Sequence, residues 1–310
     1  MINYTIIIPH HNVPDLLQRC LDSIPIRDDL EIIIVDDNSS SDIVDFLNFP
    51  GMNRKDCRII FDKAGGGAGH ARNLGLEQAC GKWVVFADSD DFFTHCFSEV
   101  LDAEIENDAD IIYMPSSCID ADFYTNNNCI SFVQDMITGF IHGDQKSEYQ
   151  LRYHLGFPWG KFVKRLLIEE HSIRFDETII HNDTTFAYLI GYYAKKIAAN
   201  MHAIYCYTVR GNSLSHTITE EKKIVRVDVM GRSNLFFKEH NLPMREDWQY
   251  RQLIESFFEN KNTFKKEWYT LKRIGYSESE LYINFFKTGI RILRHKVFHK
   301  GKMVLKSILK

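Results

Sequence analysis

The chain has 310 residues, of which 45% are hydrophobic and 25% are charged, and its net charge is −5. This composition is typical of a globular protein, and the weakly negative total gives no reason to expect nucleic acid as a partner. Seven cysteines occur without a Cys-x-x-Cys pair, a pattern that favours reduced thiols in a cytoplasmic protein over a disulfide framework or a zinc site.

The N-terminal sequence MINYTIIIPHH lacks a basic region and has only a short apolar run, so we do not expect a signal peptide. No stretch of the sequence reaches the roughly 18 apolar residues that a transmembrane helix requires. We therefore expect a soluble protein, or one that lies on a membrane surface.

Short apolar runs alternate with helical patterns from Tyr4 to Met114. The predicted strands are Tyr4–Ile8, Glu31–Val35, Cys57–Phe61, Trp83–Ala87 and Ala109–Met114, and the predicted helices are Asp15–Ile24, Ala68–Ala79 and Phe97–Ile105. This alternation predicts βαβ units and an α/β fold with a mainly parallel sheet covered on both faces. Ligands of such sheets bind beyond the carboxyl ends of the strands, so carboxylates at those ends are the first candidate site residues.

The alternation weakens in the second half of the chain. Helices are predicted at Val133–Tyr153 with a break at Gly139–Gly143, at Arg165–His171 and at Thr184–Lys195, a turn at Asn126–Asn128 and a strand at Ile197–Val209. From Glu220 the pattern is mostly helical and aromatic. A boundary near 215–220 therefore divides an α/β domain over 1–218 from a helical region over 219–310.

An acidic tetrapeptide, Asp88-Ser89-Asp90-Asp91, directly follows the predicted strand WVVFA. Three carboxylates so close together repel one another unless a cation lies among them, and hard oxygen ligands suit Mg²⁺ or Mn²⁺. The alternative is a solvated acidic turn that caps the next helix. The position at a strand end favours a metal site.

Two further segments lie between a predicted strand and a helix. Asp36-Asp37 ends the run EIIIV and could bind a ligand or simply begin a turn. The glycine-rich segment 65–73 could approach a phosphate, but no register gives G-x-G-x-x-G and there is no P-loop pattern, which disfavours a dinucleotide dehydrogenase or a P-loop enzyme. Arg72 within it is a candidate cation for an anionic donor.

Taken in order, these segments resemble the family 2 glycosyltransferases of the GT-A fold. The resemblance rests on IIIPHHN (6–12), EIIIVDDNSSSD (31–42), GHARNLGLEQACGKWVVFADSDD (69–91), PWGKFVKRLLIEEHSIRFDETIIHNDTTF (158–186) and TVRGNSLS (208–215). It covers residues up to about 215 and implies a nucleotide-sugar donor, of which a UDP-sugar is the preferred class.

The resemblance also implies a donor site. Pro9 and His11 border the base, with Asn12 beside them, and Asp37 accepts the N3–H of uracil. A second group binds the rest of the donor and the metal: Arg72, Asp88, Ser89, Asp90 and Asp91. Within that group, Asp88 holds the ribose hydroxyls, Asp90 ligates a Mn²⁺ or Mg²⁺ ion that bridges the phosphates, and Asp91 completes the metal site by supporting the turn.

Asp183 is the catalytic base that the resemblance implies. It would take the proton from the acceptor hydroxyl during one direct displacement, which inverts the anomeric centre. The alternative from the sequence is that Asp183 caps the helix that begins at Thr184.

Two residues depart from the family pattern. His11 replaces a tyrosine, and it can stack on a base but can also change its charge with pH. Asn182 replaces a glutamate, so a second carboxylate at the acceptor site is lost unless His181 or Glu177 compensates. Trp159 and Lys161 are assigned with Asn182 to the acceptor site, and core packing is an equal alternative for Trp159.

The last segment, Lys287–Lys310, interleaves apolar and basic residues, and no acidic residue follows Glu280. Such a helix can lie on an anionic membrane surface, or it can pack on the protein with a basic solvated face. The first alternative predicts a cytoplasmic protein, peripheral on the inner face of the membrane, that uses a lipid-linked acceptor in capsule or related polysaccharide assembly.

Together these features predict an inverting, metal-dependent hexosyltransferase. A nucleotidyltransferase on a similar sheet is an enzyme alternative, against which the absence of a G-x-G-x-R-type loop counts. A non-catalytic nucleotide-sugar-binding or scaffold protein at a membrane is the alternative from another class.

Overall fold

The computed structural model describes residues 1–120, 125–127, 129–209, 218–243 and 248–308, with side chains as far as Arg294. The chain forms two compact units. The first contains Met1–Thr178 and Asn182–Leu214, and the second contains Ile179–His181 and Ser215–Lys310. The predicted division into 1–218 and 219–310 stays a prediction, and its boundary region lies partly outside the described residues.

The described strands and helices follow the chain in order. The strands are β1 (Tyr4–His10), β2 (Leu30–Asp37), β3 (Cys57–Asp62), β4 (Trp83–Phe86), β5 (Phe92–Phe93), β6 (Ile111–Tyr113), β7 (Ser116–Asp120), β8 (Lys161–Lys164), β9 (Ile197–Ala199) and β10 (Tyr205–Val209). The helices are α1 (Pro14–Asp22), α2 (Gly67–Gln78), α3 (Phe97–Glu104), α4 (Ser131–Ile141), α5 (Gln145–Tyr153), α6 (Arg165–Glu170), α7 (Thr184–Tyr193), α8 (Glu220–Glu239), α9 (Trp248–Glu259), α10 (Lys261–Ile274) and α11 (Glu278–Ile308).

A seven-stranded sheet in the order β3-β2-β1-β4-β8-β6-β9 forms the centre of the first unit. β1 pairs in parallel with β2 and with β4, and every residue of β1 is buried. Complete burial is what a strand covered on both faces requires, and it explains the continuous apolar run at the N-terminus. The predicted mixed, mainly parallel α/β sheet is confirmed.

The second half of this sheet differs in detail from the prediction. β8 lies antiparallel between β4 and β6, although no strand was predicted there. The predicted strand at Ile197–Val209 is in fact two strands: β9 pairs with β6, whereas β10 lies in a second sheet of order β5-β10-β7. β8 (KFVK) places a lysine at each end of only two apolar residues and β5 has two residues, so neither forms a continuous apolar run like that of β4 (WVVF).

The prediction that all cysteines are reduced is wrong for one pair, because Cys118 and Cys129 form a disulfide. Cys118 lies in β7, and the chain returns alongside it through the bridge between Ile119 and Asn126. The backbone N–H of Asn127 donates to the Cys118 carbonyl oxygen at 2.7 Å. Spacing in the sequence does not reveal such a return. The other five cysteines are free.

The second unit is helical, as predicted, with α8 to α11 packed around a core of its own. The members of this core include Val227, Tyr250, Leu253, Leu271 and Leu281. None of the described helices has both the length and the apolar character that crossing a bilayer demands.

Candidate active site

The acidic turn after β4 forms a compact group of carboxylates. Oxygen atoms of Asp88, Asp90 and Asp91 lie within 4.8 Å of one another, and Ser89 is buried in the same turn. Asp88 and Asp90 are half-buried, whereas Asp91 is fully buried. A divalent cation fits this donor set, because it would offset the mutual repulsion of three carboxylates that offer hard oxygen ligands.

Asp91 is held by the second sheet. Its Oδ2 accepts a hydrogen bond from the Tyr205 hydroxyl and its Oδ1 accepts one from the Thr208 N–H, both at 2.7 Å. Burial raises the pKa of Asp91 well above its usual range, and the charges of Asp88 and Asp90 raise it further. Both carboxylate oxygens therefore have internal donors, as expected of a residue that supports the turn, while the metal-ligand part of its assignment stays a prediction.

Arg72 of α2 connects the acidic turn with the segment before α7. Its guanidinium donates to Asp88 Oδ1 at 2.5 Å and to Asn182 Oδ1 at 2.9 Å, and it lies over the Phe175 ring. Gly69 permits this approach, because a Cβ there would lie 2.0 Å from the Asp176 carbonyl oxygen. The packing of α2 thus places a permanent cation between two predicted site residues.

Asp183 lies at the N-cap position of α7, but its side chain makes no capping hydrogen bond. Burial raises its pKa, the charge of Arg72 opposes that rise, Asp88 adds to it, and Lys161 opposes it. Asp183 is therefore close enough to Arg72 and Asp88 to interact with their charges. This side chain therefore does not make the helix-capping hydrogen bond that the sequence allowed.

Asp37 ends β2 beside the predicted base-binding residues. Its Oδ2 accepts a hydrogen bond from the Gly67 N–H at 2.9 Å, while its buried Oδ1 has no hydrogen-bond partner among the described residues. His11 Nδ1 lies 2.8 Å from the Asp37 carbonyl oxygen, and Asn12 Oδ1 accepts from the Ser40 N–H at 2.8 Å. Pro9 is buried in β1 opposite Val35 of β2.

A buried pair joins His10, which was not singled out from the sequence, to Asp36, which was considered there only together with Asp37. His10 and Asp36 are both buried, with His10 Nδ1 2.7 Å from Asp36 Oδ1. His10 Nε2 accepts from the Val13 N–H at 3.2 Å, so Nδ1 carries the proton that it donates to Asp36. Burial acts to raise the pKa of Asp36, but hydrogen bonds from His10 and Ser39 outweigh it and the pKa is lowered. This pair fixes the ends of β1 and β2.

Arg19 of α1 is another supporting residue that sequence reasoning missed. Its guanidinium donates to the Asp90 carbonyl oxygen at 2.5 Å and to Thr208 Oγ1 at 3.4 Å, and it lies over the Phe92 ring. One side chain thus connects the acidic turn to both strands β5 and β10. A single basic residue in the last turn of a helix gives no sequence signal for this role.

The residues assigned to the acceptor site are largely enclosed. Trp159 is buried in a stack of rings, 3.9 Å from Phe157 and 5.2 Å from Tyr205 between ring centroids. Lys161 is 1% exposed, donates to the Leu155 carbonyl oxygen at 3.3 Å, and burial lowers its pKa to about 7. Core packing, the alternative for Trp159, matches this stack, and acceptor binding by either residue stays a prediction.

The two residues that could replace the missing glutamate have other partners. Glu177 accepts hydrogen bonds from His70 at 3.1 Å and from Asn73 at 3.2 Å, and the His70 bond lowers its pKa. His181, with a φ of +56°, lies 3.3 Å from Arg226 Nε within the second unit. Of the matching segment 208–215, residues 210–215 lie outside the described part of the chain.

A profile of the family described as "Glycosyl transferase family 2" matches residues 5–167. Among curated relatives, glycosyltransferase GlyA of Streptococcus pneumoniae is 28% identical over 262 residues, which are 81% of this chain and 37% of GlyA. The putative glycosyltransferase EpsH of Bacillus subtilis is 23% identical, with 82% of this chain and 73% of EpsH covered. The chain thus spans little more than a third of the length of GlyA.

Solved structures share the fold. Staphylococcus aureus TarS 1–349 in complex with UDP-GlcNAc has a TM-score of 0.57 and 20% identity, covering 74% of this chain and 66% of that one. The mannosyltransferase PcManGT of Pyrobaculum calidifontis, in complex with GDP-Man and Mn²⁺, has a TM-score of 0.52 and 16% identity, covering 96% and 82%. The predicted GT-A fold is confirmed by this likeness.

Proposed function

Because the chain belongs to glycosyltransferase family 2, we propose that it is an inverting, metal-dependent transferase that moves a hexose from a UDP-sugar to a saccharide acceptor. The observation that carries the proposal is the grouping of the carboxylates of Asp88, Asp90 and Asp91 beside Arg72, whose charge also acts on Asp183. A diphosphate, a divalent cation and an acceptor hydroxyl need this combination of charges in one place.

The donor is proposed to bind along the carboxyl ends of β1, β2 and β4. The open Oδ1 of Asp37 can accept the N3–H of uracil, and His11 and Asn12 border the base with Pro9. Asp88 and Ser89 are assigned to the ribose side. Arg72, already bound to Asp88, offers a guanidinium that cannot lose its charge near the phosphates.

Asp90, with Asp91 behind it, is proposed to hold Mn²⁺ or Mg²⁺. A divalent cation at this position would offset the negative charge that grows on the departing diphosphate. Asp91 acts from the interior, because its bonds to Tyr205 and Thr208 keep the turn in shape.

Asp183 is proposed to act as the general base. As the acceptor oxygen bonds to the anomeric carbon, the bond from that carbon to the diphosphate oxygen breaks and Asp183 takes the hydroxyl proton. Attack opposite the leaving group inverts the anomeric centre. A carboxyl whose pKa is raised by burial is a stronger base once ionised, which suits this task.

The acceptor is proposed to be a glycan, in some cases lipid-linked, within surface polysaccharide synthesis such as capsule assembly. Trp159, Lys161 and Asn182 remain its proposed binding residues. The proposal places the protein in the cytoplasm or on the inner face of the membrane, with contact through 287–310. Exposed basic residues Lys287, Arg291 and Arg294 support that contact, while side chains from His295 onward lie outside the described part of α11.

Thermal unfolding tests the donor and metal assignments together. The protein is melted with UDP-, GDP- and dTDP-sugars, each with and without Mn²⁺ or Mg²⁺, and release of the nucleoside diphosphate is measured in parallel. We expect a UDP-sugar with metal to stabilise most, by about 2.7 kcal/mol at a hundredfold excess over Kd. Asp90→Asn should abolish this metal-dependent gain, whereas the matched change Asp28→Asn, at an exposed residue before β2, should not.

Two outcomes would count against the proposal. If no nucleotide stabilises the protein in a metal-dependent way, the donor assignment is wrong. If UDP-sugar binds with metal but is neither turned over nor transferred, the non-catalytic binding protein is the better interpretation.

A further inference from the structure

A large apolar groove lies in the second unit, between α9, α10 and α11. Its volume is about 1220 Å³. We call it the aromatic groove, and its characteristic lining residues are Phe257, Phe258, Phe264, Trp268, Phe285 and Phe286. This volume exceeds the roughly 300–1,000 Å³ of ordinary small-molecule pockets. Walls of ring faces and aliphatic side chains suit a hydrocarbon and offer few partners to a sugar or a nucleotide.

Several side chains of the aromatic groove are strongly exposed. Phe258 is 80% exposed, Phe286 is 63% exposed and Leu293 is 64% exposed. Exposed apolar area of this kind is unfavourable in water, and large contiguous patches on a soluble unit mark interaction sites. An apolar occupant is therefore expected.

The exposed surface of α11 is divided into two adjoining stripes. Ile283, Phe286, Ile290 and Leu293 recur at helical spacing and form an apolar stripe, three of whose members line the groove. Beside it, Lys287, Arg291 and Arg294 form a basic row, and the sequence holds no acidic residue after Glu280. Apolar and basic stripes side by side complement a surface that presents hydrocarbon beneath anionic headgroups.

The charges that line the groove on α9 and α10 are of both signs. Lys272 of α10 pairs with Glu278 at 2.5 Å, Glu259 of α9 pairs with Lys223 at 2.7 Å, and Arg251, Glu255 and Lys265 also line the groove. The charged side chains of α11 after Glu280 are, in contrast, all basic. A row of one sign beside an apolar groove favours an anionic lipid as the occupant.

We propose that the aromatic groove binds the hydrocarbon chain of an anionic bilayer lipid, with the basic row of α11 at the headgroups. This inference rests on the membrane contact proposed for 287–310 and turns it into a defined site in the second unit. It is independent of the transfer reaction, whose proposed residues all lie in the first unit.

Vesicle flotation of the full-length chain tests the site. Vesicles of phosphatidylcholine alone are compared with vesicles that also contain phosphatidylglycerol. The double variant Phe258→Ser, Phe286→Ser should weaken binding to the anionic vesicles at least roughly tenfold, because two exposed rings that the lipid would cover are lost. The matched change Leu47→Ser, at a residue 88% exposed in the first unit, should leave binding unchanged.

A second pair of variants separates charge from hydrocarbon. Lys287→Gln with Arg294→Gln should remove the preference for anionic vesicles and should make the remaining binding less dependent on salt. Equal binding by wild type and the Phe258, Phe286 variant would overturn the proposal. The proposal would also be overturned if, without lipid, the wild type sediments as a dimer and this variant as a monomer. The occupant of the groove would then be a second copy of the chain.

Donor turnover, measured without vesicles, separates the two proposals. The groove variants should release UDP at the wild-type rate, because their residues lie outside the proposed catalytic machinery. If the wild type binds vesicles but does not turn over the donor, the proposed function is wrong and the lipid site is supported. If it turns over the donor but does not bind vesicles, the lipid site is wrong and the proposed function is supported.

Discussion

At the scale of single residues, the charge of Asp183 is set by opposing neighbours. Burial favours its neutral form, whereas Arg72 and Lys161 favour the carboxylate. In the proposed role as general base, Asp183 must be ionised to take a proton, and the charges of Arg72 and Lys161 act in that direction.

The amide variant of Asp183 separates chemistry from binding. Asp183→Asn keeps the shape and removes the proton acceptor, so kcat for transfer should fall roughly 10²–10⁴-fold. The metal-dependent stabilisation by UDP-sugar should persist, because the donor residues are intact. A variant with full transfer activity would show that Asp183 is not the base.

The charge of Lys161 predicts a shift in the pH–rate profile. Lys161 lowers the pKa of Asp183, so Lys161→Met should raise that pKa and move the acid limb of kcat/KM to higher pH. Because the pKa of Lys161 is about 7, the effect should be greatest at and below neutral pH, where the lysine is protonated.

Lys164→Met is the matched control for this profile. Lys164 lies in the same strand but pairs with Asp110 at 3.5 Å, away from the acidic turn. An unchanged acid limb in Lys161→Met, or an equal shift in both variants, would contradict the coupling of Lys161 to Asp183.

At the scale of elements, the first four strands of the sheet were predictable. Runs such as EIIIV are continuous because β2 is buried on both faces, and the structure extends that strand to Asp37. The adjacency of β2, β1 and β4 then follows from the βαβ pattern, which explains why Asp37 and Asp88 could be singled out from their position at strand ends.

The second sheet could not be predicted from the sequence. β5 has two residues, and the contact that gives this sheet its importance joins Asp91 to Tyr205, 114 positions apart. A sequence pattern relates residues that are close along the chain, whereas this hydrogen bond depends on tertiary packing. The Cys118–Cys129 disulfide and the contacts of Arg19 also depend on tertiary packing, so the sequence did not predict them.

The hydroxyl of Tyr205 connects the second sheet to the acidic turn, and its removal tests that support. Its hydroxyl donates to Asp91 Oδ2 at 2.7 Å and accepts from the Asp88 N–H at 2.9 Å. Tyr205→Phe leaves a buried carboxylate with one donor fewer, which should cost about 1–3 kcal/mol of unfolding free energy. The turn loses support on both sides, so metal-dependent stabilisation by UDP-sugar should weaken as well.

Tyr4→Phe distinguishes loss of support from loss of stability. Tyr4 is also buried, and its hydroxyl donates to the Leu101 carbonyl oxygen at 2.6 Å, at the start of β1 and far along the strand from the acidic turn. This variant should lose stability without losing the response to metal. Equal metal responses in the two variants would show that the second sheet does not maintain the site.

At the scale of the whole molecule, each of the two units buries polar side chains beside its apolar core. In the helical second unit, Ser256 donates to Glu267 Oε1 at 3.0 Å, and Glu267 Oε2 has no hydrogen-bond partner among the described residues. A buried carboxyl with one unmatched oxygen makes stability depend on pH.

The direction of that dependence follows from the pKa of Glu267, which burial raises from 4.5 to about 7. Between these values the unfolded chain loses the proton while the folded chain keeps it, so the free energy of unfolding falls as pH rises through the interval and levels off above 7. Glu267→Gln removes the titration. The variant should therefore gain stability over wild type at pH 8, by up to about 3 kcal/mol, and the gain should shrink towards pH 5.

Urea unfolding at pH 5 and pH 8 measures this difference, with Glu239→Gln, at an exposed position of α8, as the matched control. The control should show no pH-dependent gain, because an exposed carboxyl is solvated in both states. A Glu267→Gln gain of the same size at both pH values would mean that packing, not a suppressed ionisation, accounts for it. The buried acid would then have to carry its charge in the folded state, where Lys223 is the cation whose charge acts on it.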